Sequence, residues 1–513
     1  MNSPSMESRQ TLQRLKGKLT RHPGDVQAWF KLGTAYAALQ DHREAAATFG
    51  KILVLDPGMW EAWSAKGHAH HMLRQYPEAV DCYVKALQLN QGSASIRNSL
   101  ASLLKRLGQL PLAEQFLREA IQIQPDYKEA INNLGNVYRA MGRHEEAQGC
   151  FQKTLALGND CADVWNNLGL VYKDQMRLDE AIACYERALA FPNSDPNAPF
   201  NYAIALLQAG RMEEGWAWYE KRWLLEPLRV RRAPYDDRYP EWKGEVLNGR
   251  RLLVWSEQGL GDLIQMVRYL RLLQERWPEV RVILRAEAVF GRLFKDLAGM
   301  DAFNRKTDDL PEADFHLPAM SLPARFATDH DSIPAQVPYL VADPQLVESW
   351  KKRLGLSKGR LRVGLIWESG AAGVGQGDFD RASRSLSGPD LKRLVRDLPV
   401  DFVRLQLGGS LDAAALGLAL VDPTPGIEDF ADTAAIIASL DGVVSVDTAG
   451  AHLAAALGKP TWTLMRFAGG NLFPGFGASM PWYPTMRLIR QSKPKDWTGA
   501  LDQVRGELKG CAR

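Results

Sequence analysis

The sequence has 513 residues, enough for three or four domains. Its net charge of +3 is too small to indicate nucleic-acid binding, and no apolar run is long enough to span a membrane. The basic N-terminal segment lacks the apolar core of a secretory signal. Five cysteines without CxxC spacing argue against a zinc site or a disulfide framework. We therefore expect a cytoplasmic protein with free thiols that neither spans a membrane nor binds nucleic acid.

The first half of the chain repeats with a period of 34 residues. The first copy has Trp29, Leu32, Gly33 and Tyr36 at the positions where tetratricopeptide repeats carry such residues, and four more clear copies follow, with a divergent sixth. A single repeat cannot bury its own apolar face, so the copies must stack into an α-solenoid with a concave surface. We predict an N-terminal helix or tail over 1–25 and about six repeats over 26–229.

Three asparagines recur at one position of successive repeats. These ladder asparagines are Asn133, Asn167 and Asn201. An amide both donates and accepts hydrogen bonds, so a column of them could bind the backbone of an extended peptide. The alternative is that asparagine merely fills this repeat position. The first interpretation predicts a protein partner in the repeat groove.

The second half of the chain alternates strands and helices. Aromatic residues over 215–223 predict a terminal cap on the array, and a polar linker is predicted over 230–249. Strands and helices alternate here, which is typical of parallel, doubly wound sheets. The predicted strands include Arg251–Ser256, Leu361–Trp367 and Thr461–Met465, and the predicted helices include Leu263–Arg276, Phe290–Leu297 and Pro344–Leu354. We predict two Rossmann-like α/β units, over 250–345 and 346–513.

A glycine turn follows the first of these strands, in the sequence EQGLGD. Gly259 and Gly261 permit a tight turn, but the motif lacks the third glycine and the acidic partner of a dinucleotide fingerprint. Asp262 begins the next helix. As a helix N-cap, its carboxylate would have a lowered pKa. We expect no NAD site here.

A second turn lies between the strand Gly442–Val446 and a helix that starts near Ala451. Small residues lead from the carboxyl end of a buried strand into a helix N-terminus, where free N–H groups and the helix dipole suit a phosphate. The candidate binding residues are Ser445, Asp447, Thr448, Ala449, Gly450 and His452. Thr448 could serve only as an N-cap, and His452 could make only a hydrogen bond at the helix start.

These two motifs resemble those of glycosyltransferase family 9, the heptosyltransferase group. The segment SVDTAGAHLAAALGKP is similar to the family's D-[ST]-G-x-x-H donor motif, and GLGDLIQ is similar to its N-domain motif. Repeats followed by a GT-B domain resemble the layout of protein O-GlcNAc transferases and of bacterial flagellin or adhesin glycosyltransferases. The resemblance implies a GT-B fold, a nucleotide-sugar donor and a hydroxyl acceptor on a protein.

The resemblance also assigns roles to residues. Asp262 would be the general base, whereas Asp447, Thr448 and His452 would contact the donor's diphosphate and sugar. Further donor contacts would come from Ser445, Ala449, Gly450 and either Arg381 or Arg384, and contacts on the acceptor side from Gly259, Gly261, Gln258 and Gln265. Helix dipoles and basic side chains handle the leaving group in this fold, so we expect no metal and no cofactor beyond the nucleotide sugar. Asp378-Phe379-Asp380 is then a chance match to a DxD metal motif.

Two functions remain open at this point. The first is an inverting glycosyltransferase whose repeats present a protein acceptor. The second is a non-catalytic tetratricopeptide scaffold with a degenerate sugar-nucleotide-binding domain. The acidic residues and the histidine of both motifs favour the enzyme. Ala449, which replaces the family's glycine, and the missing family lysine favour the scaffold.

Overall fold

The computed structural model describes residues 6–192, 194–355, 359–370, 384–409, 411–470 and 477–512, with the side chains from residue 10 onward. The chain divides into two compact units, Met1–Val171 and Tyr172–Arg513. The first consists of repeats. The second contains the last repeats and the whole α/β part.

Paired helices form the repeat array, as the 34-residue period predicts. After the helix Met6–Arg21 the pairs are Val26–Ala38 with His42–Leu55, Trp60–Met72 with Tyr76–Leu89, Ala94–Arg106 with Leu110–Ile123, Lys128–Ala140 with His144–Ala156, and Asn197–Gln208 with Met212–Tyr219. The helices Ala162–Asp174 and Leu178–Leu189 lie between the last two of these pairs in sequence. The repeat glycines let an aromatic ring of the second helix approach the first. A Cβ on Gly135 would lie 2.8 Å from the Phe151 ring, and one on Gly33 would lie 2.7 Å from the Phe49 ring.

The first α/β unit is built on a parallel sheet of four strands. They are β1 (Arg251–Trp255), β2 (Arg281–Ala286), β3 (Ala302–Arg305) and β4 (Phe315–Pro318), in the order β3-β2-β1-β4. The helices Leu260–Met266, Arg268–Arg276 and Leu322–Arg325 belong to this unit. The structure thus breaks the predicted helix Leu263–Arg276 at Val267.

The second α/β unit is built on a six-stranded sheet. Its strands are β5 (Leu361–Ile366), β6 (Val400–Arg404), β7 (Gly442–Val446), β8 (Thr461–Met465), β9 (Ser479–Met480) and β10 (Tyr483–Arg490), in the order β6-β5-β7-β8-β10-β9. All neighbours pair in parallel except β9 and β10. The helices here are Pro344–Leu354, Gly388–Val395, Phe430–Ala438, Ala449–Ala456 and Thr498–Cys511.

The last repeat helices share one hydrophobic core with the α/β part. Trp216 is buried and packs edge-on against Trp482, with ring centroids 6.1 Å apart. Leu207 and Tyr219 belong to the same core. The aromatic segment therefore caps the array by docking it, as predicted. The helix Glu226–Asp236 crosses the start of the segment predicted as a linker.

The remaining sequence-wide expectations concern cysteines and membranes. All five cysteines are free thiols; Cys82 and Cys184 are buried, whereas Cys511 is exposed. None of the helices in the described part of the chain is both long and apolar enough to cross a membrane.

Candidate functional site

The two glycine motifs lie at the switch points of the two sheets. In the order β3-β2-β1-β4 the direction of winding reverses at β1, and EQGLGD follows β1 directly. In the second sheet it reverses between β5 and β7, and the Asp447 turn follows β7. Ligands of doubly wound sheets bind outside the carboxyl ends of the strands at such points. Sheet topology therefore selects both motifs as candidate binding loops.

The helices that begin at these motifs pack directly on each other. A Cβ added to Gly261 would lie 2.8 Å from His452 Cδ2 and 3.3 Å from Ala449 Cα. Only glycine permits this approach without a shift of the neighbouring helix. The predicted acceptor-side and donor-side residues therefore meet in one site.

Asp262 has the electrostatics of a carboxyl group that can exchange a proton near neutral pH. Its Oδ2 accepts a hydrogen bond from the Gly259 N–H at 2.9 Å. Desolvation, supported by the charges of Asp447 and Glu257, raises the pKa of Asp262 to about 7, although the Gly259 bond and Arg384 act in the opposite direction. Gly259 is the N-cap, and Asp262 is the third residue of the helix Leu260–Met266, so the expected N-cap position of Asp262 is wrong. The expected lowered pKa is also wrong, because desolvation outweighs the hydrogen bond.

Arginine side chains lie around the second motif. Arg384 Nη1 is 3.9 Å from Asp447 Oδ2. Arg490, at the carboxyl end of β10, donates to the carbonyl groups of Arg466 and Phe467 at 3.0 and 3.4 Å. Burial lowers the pKa of Arg490, and the nearby Asp447 opposes that shift. The sequence predicts Arg384 but gives no indication of Arg490, which lies 43 residues beyond Asp447 in the chain.

The Asp447 turn has the conformation expected of a helix entry. Thr448 is the N-cap of the helix Ala449–Ala456, and its Oγ1 lies 2.9 Å from Ser445 Oγ. The Ser445 hydroxyl donates to the Val446 carbonyl at 2.6 Å. A Cβ on Gly450 would clash with Ile366 of β5. The glycine one place after Ala449 thus has a packing reason.

His452 lies inside the site rather than on its surface. Its side chain is 4% exposed, and its Nδ1 lies 3.1 Å from the Tyr483 hydroxyl. Desolvation and the charge of Arg268 lower the pKa of His452 to about 3, so the imidazole is neutral. Arg268 lies over the Tyr339 and Tyr483 rings, with its guanidinium carbon 4.3 and 4.5 Å from the centroids. A neutral imidazole can contact a phosphate as a hydrogen-bond donor but cannot neutralise it.

The two candidate glutamines have different surroundings. Gln258 donates from Nε2 to the Tyr219 hydroxyl at 2.9 Å. The side chain of Gln265 is fully buried, and its amide atoms have no hydrogen-bond partner among the described residues. Arg381 and the segment Asp378–Asp380 lie outside the described residues.

A buried ion pair supports the first motif, and sequence reasoning missed it. Arg222 Nη2 lies 2.8 Å from Glu257 Oε1, and both side chains are fully buried. Burial raises the pKa of Glu257, and Arg222 opposes that shift. The two residues are 35 positions apart, so no local pattern links them.

The ladder asparagines of the first unit bond laterally between repeats. Asn133 Nδ2 donates to Asn98 Oδ1 at 2.8 Å, and Asn167 Nδ2 donates to Asn132 Oδ1 at 3.3 Å. Each bond joins the first helices of successive repeats, so these amides also help to hold the repeats together.

No group of three or more His, Cys, Asp or Glu side chains among the described residues is arranged to hold a metal ion. The site consists instead of a protonatable carboxyl group, arginines and a helix N-terminus at the carboxyl ends of two parallel sheets.

An α-solenoid joined to two α/β units with such a site is the class of protein that these observations define. Comparison with known families agrees: residues 426–483 match glycosyltransferase family 9 (heptosyltransferase). Tetratricopeptide repeat models match residues 12–59, 60–93, 92–160 and 162–191. The chain is thus a glycosyltransferase-like protein with tetratricopeptide repeats.

Several known proteins are similar to parts of this chain. Protein FlbA of Caulobacter vibrioides is 29% identical in an alignment 304 residues long, which covers 53% of this chain and 48% of FlbA. The chain thus spans about half the length of this relative. Among solved structures, the APC/C hetero-tetramer Cut9–Hcn1 is 22% identical with a TM-score of 0.40, covering 45% of this chain and 46% of that one. A thermophilic repeat protein of Thermus thermophilus is 25% identical with a TM-score of 0.33, covering 36% of this chain and 99% of that one.

Proposed function

We propose that the protein is an inverting glycosyltransferase that moves a sugar from a nucleotide sugar to a hydroxyl group of a protein. The observation that carries this proposal is the contact of Gly261 with His452 and Ala449, which places Asp262 next to the candidate donor turn. Substrates held between the two motifs would meet a base on one side and cationic groups on the other.

In the proposed reaction, Asp262 takes the proton of the acceptor hydroxyl. The hydroxyl oxygen then forms a bond to the anomeric carbon of the sugar, the bond from that carbon to the diphosphate oxygen breaks, and the nucleoside diphosphate leaves with the electron pair. A single displacement of this kind inverts the anomeric centre. With a pKa of about 7, about half of Asp262 is ionised at neutral pH, which suits a general base.

The leaving diphosphate would be neutralised by Arg384, Arg490 and the N-terminus of the helix Ala449–Ala456. Arg384 and Arg490 both interact with Asp447 at this turn. A helix N-terminus adds partial positive charge and free N–H donors. We therefore propose a reaction that needs no metal ion, and one in which arginine replaces the lysine of family 9.

The repeats would bind the acceptor protein. The amides of Asn133 and Asn167 each have a second N–H and a further lone pair beyond the bond to the neighbouring repeat. These groups can bind an extended peptide backbone with little dependence on its sequence. Free cysteines suit a reducing compartment, so we place this reaction in the cytoplasm.

Screening of the full chain against a panel of nucleotide sugars tests the donor. A donor at about 100 times its dissociation constant stabilises the folded protein by about 2.7 kcal/mol. Release of nucleoside diphosphate, measured with a cell extract as acceptor and with a chelator present or absent, tests transfer and metal independence. Binding without any release, in both the wild type and Asp262→Asn, would instead indicate the non-catalytic scaffold.

A further inference from the structure

The residues that precede the Gly259–Asp262 turn are held by the cap of the repeat array. Glu257 receives a hydrogen bond from Arg222 Nη2 at 2.8 Å. The next residue, Gln258, donates to the Tyr219 hydroxyl at 2.9 Å. Two neighbouring residues of the loop are thus fixed by two residues of the segment that ends the last repeat pair.

The other partners of this ion pair leave it little freedom. Arg222 also donates from Nη1 to Glu220 at 2.7 Å and from Nη2 to Ser321 at 2.8 Å. Glu257 also accepts from the Met320 N–H at 3.2 Å. A fully buried pair with this many additional hydrogen bonds is held in one arrangement, because any other leaves a charge unpaired in the protein interior.

Arg231, on the helix that follows the cap, adds a further contact to the loop. Its Nη1 donates to the Glu257 carbonyl at 3.1 Å. Both the side chain and the main chain of Glu257 are therefore fixed from the array side, five residues before Asp262.

We infer that Arg222 is a positioning residue for Asp262: through Glu257 it fixes the loop that carries the base, with Tyr219 as a second anchor on Gln258. This inference rests on the proposed function only in giving Asp262 the role of base. The array would then do more than bind an acceptor, since its last turn would be part of the support of the catalytic loop.

The contacts of Arg222 with Glu257 and of Tyr219 with Gln258, together called the clamp, have an electrostatic consequence that can be measured without any substrate. The carboxylate of Glu257 is one of the charges that raise the pKa of Asp262. Among the residues that the structure describes, the other charged or titratable groups that face Asp262 are Asp447, Arg384 and the Tyr219 hydroxyl, and His452 lies across Gly261. Removal of the ion pair should lower the pKa of Asp262, because a loop that is no longer held lets this carboxyl group reach solvent. The charges of Arg222 and Glu257 are deleted together, so their effects on Asp262 largely cancel.

Carbodiimide labelling with glycine ethyl ester tests this on the full-length chain. The reagent modifies protonated carboxyl groups, so the labelled fraction of Asp262, read by mass spectrometry between pH 5 and 9, gives its titration midpoint. Arg222→Met with Glu257→Leu removes both charges and leaves neither unpaired. Tyr219→Phe removes only the anchor on Gln258.

The exposed pair Arg211–Glu214, at the start of the helix Met212–Tyr219, serves as the matched control. Its atoms lie 2.6 Å apart, and both side chains are more than 40% exposed. We expect a midpoint near pH 7 in the wild type and in Arg211→Met with Glu214→Leu. In Arg222→Met with Glu257→Leu we expect a midpoint at least half a pH unit lower, and in Tyr219→Phe a smaller shift in the same direction.

Unchanged midpoints in the folded variants would overturn the inference. If the double variant does not fold, Arg222→Lys replaces it, because lysine keeps the charge but lacks the planar fork that reaches Glu220, Glu257 and Ser321 together. Unchanged midpoints in Arg222→Lys and Tyr219→Phe would then overturn the inference. Where transfer is measurable, positioning predicts a lower kcat with an unchanged KM for the nucleotide sugar. If Asp262→Asn retains full transfer activity, the role of Asp262 as base fails, whereas a shifted midpoint still supports the clamp; the two failures are therefore distinguishable.

Discussion

Gly261→Ala tests the contact that brings the two motifs together. The added Cβ would lie 2.8 Å from His452 Cδ2 and 3.3 Å from Ala449 Cα, whereas carbon atoms prefer about 3.5–4.0 Å. One of the two helices must therefore move by about 0.7–1.2 Å, which is the difference between the preferred carbon–carbon distance and the 2.8 Å contact with His452. The His452 ring cannot simply turn away, because it is buried and contacts Tyr483.

The change in the free energy of unfolding of Gly261→Ala is the sum of two opposing effects. Overpacking of a close contact costs about 1–3 kcal/mol. Alanine is favoured over glycine by up to about 1 kcal/mol inside a helix, but Gly261 is the second residue of its helix, where the gain is smaller. We expect a net loss of about 1–2 kcal/mol in the free energy of unfolding. A displacement of about 1 Å between the two loops should slow transfer by up to about 100-fold.

Thermal unfolding and the rate of nucleoside diphosphate release measure the two effects. Gly506→Ala is the control, because Gly506 lies within the helix Thr498–Cys511 and nothing lies within 4 Å of an added Cβ. That variant should be as active as the wild type and more stable by up to about 1 kcal/mol. If Gly261→Ala unfolds and reacts like the wild type while Gly506→Ala is stabilised, the motifs are not in the close contact described here.

Four further predictions concern the site and the array. Asp262→Asn should lower the rate of transfer by about 10²–10⁴-fold with unchanged binding of the nucleotide sugar in thermal shift; retained activity would remove it as base. Because the pKa of Asp262 is raised to about 7, kcat/KM should rise about tenfold per pH unit below pH 7 and level off above it; a rate independent of pH over 5–8 would contradict this. The contribution of Asp262 to the free energy of unfolding should fall as the pH rises from 4 to 7, since the folded state binds the extra proton in this range. Arg222→Met alone should cost about 3–5 kcal/mol in chemical denaturation, and the added Glu257→Leu should recover most of it; equal stability of both variants would show that the pair is not buried. Replacing the three ladder asparagines by alanine should weaken acceptor binding at least about tenfold, since each lost hydrogen bond is worth about 0.5–1.5 kcal/mol. The same change should lower the melting temperature of the array, and unchanged affinity in a pull-down titration would show that the ladder has only a structural role.

Local sequence signals were sufficient for much of the fold. The strands Gly442–Val446 and Thr461–Met465 have the predicted bounds, because short apolar β-branched runs are typical of buried parallel strands. The helix Pro344–Leu354 also has its predicted bounds, since Asp343 caps it and proline occupies its first turn. The helices of the array follow from the 34-residue period.

Elements with weaker local signals were missed. The strand β10 alternates exposed and buried residues and contains Arg487, and it is fixed by pairing with β8 rather than by its own composition. The segment Phe290–Leu297 is predicted as a helix, but the structure has a short 3-10 helix at Ala288–Phe290 followed by turns. In both cases the tertiary contacts decide the conformation.

The features of the candidate site also fall into those that the sequence could predict and those that it could not. Asp262 and the Asp447 turn could be found because each motif is contiguous in sequence. The raised pKa of Asp262 could not, since it depends on desolvation and on carboxylates from other segments. The ion pair of Arg222 and Glu257 could not be predicted either, because only the docking of the cap brings these two residues together.

The division of the chain at Val171–Tyr172 has a consequence for building chimaeras. The helices Leu178–Leu189, Asn197–Gln208 and Met212–Tyr219 belong to the α/β unit, although their sequence pattern is that of repeats. A graft that replaces residues up to the loop before Ala162 would exchange the first four helix pairs and keep these terminal repeats as a ready-made end cap. A graft made at the end of the repeat pattern would instead cut through the core of the recipient.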